Sequence, residues 1–199
     1  MSTTERSLMS HLRVFDRILP VSLQSRPAEL QAARHLSLLA AVTALSTPLL
    51  NAMYHWLGHD TAGMVVVTAG IGMMVSPFIL HWGVGIGVAR DLFVGVLFLL
   101  KVWMALHFGG LAAPTVPWFL LCPAVAMLLG GIRPGLVWTG AVTLAVVALF
   151  VQERMAPLVA DPVRDPLVLE LVSTLGLFFL VTIIVALARD AIAIERRGR

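Results

Sequence analysis

The chain has 199 residues, 59% of them hydrophobic and 13% charged, with a mean hydropathy of +0.92 and a formal net charge of +3. A soluble domain averages about 45–50% apolar and about 25% charged residues, so this composition excludes both a water-soluble globule and a disordered chain. A single cysteine, Cys122, excludes a disulfide framework and a Cys-based zinc site.

Residues 1–34 carry five arginines and no continuous apolar core, which is not the pattern of a cleavable signal. Leu8, Leu12, Phe15 and Leu19 recur at spacings of four, three and four, with Arg6, Arg13 and Arg17 opposite. This predicts an amphipathic helix that lies on an anionic inner leaflet or packs on the bundle, ended by Pro20 and Pro27. A membrane-spanning helix needs ~20 mostly apolar residues. Six stretches meet or approach that length: His35–Leu57, Ala62–His81, Val88–Phe108, Pro117–Leu129, Leu136–Val151 and Leu167–Ala188. The fourth and fifth are joined by the Gly/Pro turn Gly130–Gly135 and read as a tight hairpin, with a re-entrant pair as the alternative.

Span one carries Asn51, Tyr54 and His55 on one face, just past Pro48, which frees a carbonyl and kinks the helix. His55 and His59 stand four apart with Asp60 following, which is metal-ligand spacing; the alternative is a pair of interfacial histidines among Tyr54, Trp56 and Trp103. Gly58 between them predicts that the helix ends before His59, and no resident metal or cofactor is expected. The string Gly83-Val84-Gly85-Ile86-Gly87 follows no strand, so it is an inner-leaflet turn and not a dinucleotide fingerprint.

Lys101 lies inside span three, about six residues before His107, hence ~10 Å below the outer surface. An ionisable residue at that depth marks a functional site unless its stem snorkels to the head groups. A ligand or sensing site is therefore expected around Lys101, with Asn51, Tyr54, His55 and His107 as neighbours and Glu170, near the start of span six, as counter-charge.

Orientation follows the basic residues. With the N-terminus in the cytoplasm, Arg6, Arg13, Arg17, Arg26, Arg34, Arg90, Arg133, Arg189, Arg196, Arg197 and Arg199 are all inside, and only Arg154 and Arg164 fall in outer loops. Both termini are expected in the cytoplasm. The basic residues thus serve topology, so the expected partners are membrane lipids and not nucleic acid. Catalysis is not expected. No serine beside a span has the Gly-x-Ser setting of an intramembrane protease, no His-Glu-x-x-His is present, and the acids stand singly at segment ends.

Along span six and beyond, Leu180, Ile184, Leu187, Ala191 and Ile194 recur at spacings of four, three, four and three. This heptad predicts a parallel seam between two copies, hence a homodimer. Arg199 falls mid-helix without a cap, where a cytoplasmic output domain is expected to begin.

Two turns carry a family resemblance. Gly109-Gly110-Leu111-Ala112-Ala113-Pro114-Thr115-Val116-Pro117-Trp118 is followed by Pro123, and then by Gly130-Gly131-Ile132-Arg133-Pro134-Gly135-Leu136-Val137-Trp138. Together with the six-span layout, this resembles the N-terminal membrane sensor regions of bacterial sensor histidine kinases, diguanylate cyclases and some class III adenylate cyclases. The resemblance implies an all-α, six-helix protein of the bacterial inner membrane that senses a stimulus for a two-component or cyclase output not contained in this chain. On that expectation, 1–34 is a cytoplasmic segment, 35–188 the sensor domain and 189–199 the start of a signalling helix. The alternative is a small transporter or channel subunit. The absence of similarity between spans one to three and four to six argues against it.

Overall fold

The computed structural model describes residues 27–156, 158 and 164–197, with side chains described from Ala28 to Arg189. The amphipathic stripe of Leu8, Leu12, Phe15 and Leu19 lies outside the described residues. Six helices follow in order: α1 Pro27–Trp56, α2 Asp60–Phe78, α3 Ile86–His107, α4 Leu121–Gly130, α5 Ile132–Met155 and α6 Pro166–Arg197. Short 3-10 turns occupy Ile79–Trp82, Gly110–Ala112 and Val116–Leu120, and no strand occurs among the described residues. The protein is all-α.

Four helical stretches are long and apolar enough to cross a membrane: Ala28–Trp56, Asp60–Trp82, Ile132–Met155 and Pro166–Arg189. α3 has comparable length but carries Arg90, Asp91 and Lys101, and the apolar stretch Val116–Gly130 is shorter. Large hydrophobic side chains cover the outside of the bundle: Leu45 is 81% exposed and Phe178 63%, with Ile71, Leu99 and Leu144 similarly bare. Such a surface suits a membrane protein, whose outer side chains meet lipid.

The helix boundaries follow the punctuating residues. α1 runs unbroken from Pro27 through His35, so residues 27–34 are part of the first long helix. A proline in the first turn loses only an N–H that would have no intrahelical acceptor. α1 ends at Trp56, Gly58 takes φ +83°, and His59 caps α2, as the glycine between the two histidines predicts. Pro77 deprives the Met73 carbonyl of its i+4 donor, and the buried Ser76 hydroxyl donates to that carbonyl at 2.6 Å. The helix then tightens into the Ile79–Trp82 turn and stops at Gly83.

Small residues set the closest helix contacts, as is usual where lipid provides no hydrophobic drive between helices. A Cβ on Gly63 would meet the Asn51 side chain, and one on Gly70 would meet Thr47, so α1 and α2 interlock through these two glycines. α3 packs on α2 and α4, and α4 and α5 form the expected hairpin. α6 is held chiefly through α4.

Leu187 is buried in the chain's own core, with Leu180 and Ile184 packed against the same cluster. Through Leu187, the stripe packs on the chain's own bundle, since the same spacing serves that contact as well as a seam between two copies. Ala191 and Ile194 lie on the α6 backbone, but their side chains are outside the described residues.

Candidate functional site

Lys101 sits six residues before the end of α3, ~9 Å along its axis, and is 7% exposed. Its Nζ stands over the Trp118 ring, 4.2 Å from the centroid. No described carboxylate lies within ion-pairing distance of it. An ammonium removed from water without a counter-charge is costly, and a desolvated cation–π contact returns about 2 kcal/mol. Lys101 is thus held in place with unsatisfied donor capacity.

The lysine forms part of a groove between α1 and α6, floored by α2, α3 and α4. Thr47 and Leu50 line one wall, Leu180 and Ile184 the other, and the cavity volume is about 80 Å³. The hydroxyl donors on the α1 wall are satisfied internally. The hydroxyls of Thr43, Ser46 and Thr47 donate to carbonyls of Leu39, Val42 and Thr43 at 2.7–2.9 Å. Among the described lining residues, Lys101 is the donor the groove presents.

Trp118 joins this site to α6. Its indole Nε1 donates to Ser173 Oγ at 2.9 Å and to the Ser173 carbonyl at 3.1 Å. Ser173 in turn donates to the Pro114 carbonyl at 2.8 Å, and Gly176 leaves the space that the indole edge fills. The turn that delivers Trp118 depends on Gly109 and Gly110, whose φ values of +98° and +63° favour glycine. Leu111 N–H donates to Glu153 of α5 at 3.3 Å, fixing the same turn from the other side.

The second motif turn is built alike. Gly131 takes φ +81°, and Trp138 Nε1 donates to Asp91 at 3.2 Å. Asp91 also accepts two bonds from Arg90, at 2.9 and 2.8 Å, while the Arg90 guanidinium lies where a Cβ on Gly130 would be. Each of the two turns therefore ends in a tryptophan that crosses to another helix.

The other expected site residues are distributed elsewhere. Asn51 is half-buried against Gly63 in the α1–α2 contact. Tyr54 is buried, its hydroxyl 3.5 Å from Met104 Sδ and its ring against Phe108. His55 is exposed and pairs with Asp60 at 2.5 Å, while His59 packs edge-on against Phe108. No group of three His, Cys, Asp or Glu side chains suited to a metal occurs among the described residues. His107 stacks on Trp103, ring centroids 4.0 Å apart, and bonds the Trp103 carbonyl at 2.9 Å. Glu170 is exposed on α6 and is not brought to Lys101.

The site that forms is Lys101 with Trp118 and Ser173. In the sequence, Trp118 stands out only as the end of the outer-turn motif; its pairing with Lys101 had no local signal. No family model, curated protein or solved structure matches this chain.

Proposed function

We propose that this chain is the membrane-embedded input module of a bacterial signal-transduction protein. Its six helices cross the inner membrane with both termini in the cytoplasm, and α3 and the Val116–Gly130 stretch complete the four longer spans. A stimulus in the outer half alters the environment of Lys101, and α6 carries the change toward a cytoplasmic output. The observation that supports this most directly is the double engagement of Trp118, which covers the Lys101 ammonium and is hydrogen-bonded to Ser173 of α6. Whatever draws the ammonium away from the ring changes the contact that positions α6.

α6 is well suited to respond. It is held chiefly through α4 and forms one wall of the groove, so occupancy of the groove acts on it directly. A stimulus shifts such an equilibrium only by its differential affinity for the two arrangements. Leu187 lies in the core, so pairing with a second copy belongs to the extension carrying Ala191 and Ile194.

Spin labels at the exposed positions Leu45 on α1 and Phe178 on α6 report the α1–α6 distance by pulsed electron paramagnetic resonance in nanodiscs. Trp118→Phe should shift or broaden that distribution, whereas an unchanged distribution would refute transmission through Trp118. Solute flux in proteoliposomes, abolished by Lys101→Met, would instead support the transporter reading.

A further inference from the structure

The groove has one end built for a small acceptor and a length built for hydrocarbon. Lys101 is more than nine-tenths buried, contacts an aromatic face, and has no described carboxylate partner. The hydroxyls of Thr43, Ser46 and Thr47 donate to carbonyls of their own helix, and none of them accepts a hydrogen bond from the ammonium. The cavity of about 80 Å³ is roughly half the 150 Å³ of an apolar cavity that admits benzene. The enclosed volume takes a group of a few atoms, so any longer part of a ligand lies along the open side of the groove. The lining on α1 extends from Leu39 to Leu50, a run of twelve residues or ~16 Å, with Leu180 and Ile184 facing it.

We propose that this groove binds a single-chain monocarboxylate amphiphile, with its carboxylate on Lys101 Nζ and its alkyl chain lying between α1 and α6. The carboxylate supplies the missing counter-charge and replaces the Trp118 ring as the principal partner of Nζ. The chain occupies apolar space that lipid would otherwise fill. This assignment rests on the input-module reading and names the ligand of that same site. Entry is lateral, from the bilayer, where such an amphiphile is already concentrated.

The test is photolabelling of the full chain in phosphatidylcholine nanodiscs with a diazirine analogue of myristate, followed by mass spectrometric location of the adducts. Adducts should fall on Leu39–Leu50 and Leu180–Ile184, and should be competed by myristate but not by methyl myristate. Lys101→Arg should retain labelling, and Lys101→Met should lower it by roughly tenfold or more, the usual worth of a hydrogen bond to a charged group. Leu180→Trp, which fills the groove and leaves the lysine in place, should block labelling as well, guarding against a fold defect in Lys101→Met.

Equal competition by the methyl ester, or adducts spread evenly over the lipid-facing helices, would overturn the proposal. Competition by phosphatidylglycerol at the same mole fraction as myristate would overturn it in favour of an anionic phospholipid. The two readings fail separately. Myristate captured at Lys101 with no change in the Leu45–Phe178 distance would sink the input-module reading and keep the ligand. A distance that responds to Lys101→Met, without selectivity for acid over ester, would do the reverse.

Discussion

Replacing Trp118 with phenylalanine removes one donor and part of a packed ring while leaving an aromatic face over Lys101. The indole N–H is shared between Ser173 Oγ and the Ser173 carbonyl, at 2.9 and 3.1 Å, and losing it costs about 1 kcal/mol. The missing ring leaves space beside Gly176, which adds ~1–2 kcal/mol, and phenylalanine is a poorer cation–π partner by up to about 1 kcal/mol. The whole change should destabilise the protein by about 2–4 kcal/mol in reversible unfolding by SDS in mixed micelles, followed by helical circular dichroism. Ser173→Ala removes the same hydrogen bond from the other side and also strips the Pro114 carbonyl of its donor. Combining the two should cost less than their sum, by about 0.6 kcal/mol and at most about 1.7 kcal/mol, the average and the maximum for such pairs inside membranes. Strict additivity, within ~0.3 kcal/mol, would show that Trp118 and Ser173 are not coupled and that this link to α6 is absent.

Lys101→Met should leave unliganded stability within about 1 kcal/mol of the parent or raise it, because relief from desolvation offsets the lost cation–π contact; a loss of ~3–5 kcal/mol would reveal a buried ion pair instead. Adding Glu170→Gln should change nothing further, since Glu170 is exposed and makes no ion pair with the lysine. Gly70→Ala should destabilise by ~1–3 kcal/mol in the same unfolding assay, because the new methyl meets the Thr47 side chain and α1 must move; parent-like stability would show that the contact yields freely. Asp91→Asn weakens a bidentate Arg90 contact and the Trp138 bond, and a loss of ~1–2 kcal/mol is expected; unchanged stability would place that cluster outside the folded-state balance. In intact cells and a Cys122-free background, an impermeant thiol reagent should label Asp60→Cys and Asp161→Cys but not Ser2→Cys, and outside labelling of Ser2→Cys would reverse the topology.

The helices and most of their ends were legible in the sequence because they depend on local properties; the start of α1 at Pro27, eight residues before the expected His35, was not. Apolar runs of membrane length, the glycines after Trp56 and Trp82, and the Gly130–Gly135 turn act through backbone conformation and hydropathy, which neighbouring residues determine. Lys101 was legible for the same reason: a charge within an apolar run is conspicuous without any knowledge of its surroundings. Its partners were not. Asn51 and His107 lie toward the same end of the bundle as Lys101, yet helix rotation turns one toward Gly63 and stacks the other on Trp103. Glu170 offered the right charge but faces outward. The heptad on α6 was a genuine period whose target was ambiguous, since a stripe suited to a second copy also suits the core that receives Leu187. Trp118, from a turn seventeen positions away in the chain, covers the ammonium only because the Gly109–Gly110 turn and the Ser173 hydrogen bonds aim it there. Spacing along one helix specifies which residues share a face; which face meets which neighbour depends on side-chain packing among all six helices, and that is decided only when they assemble.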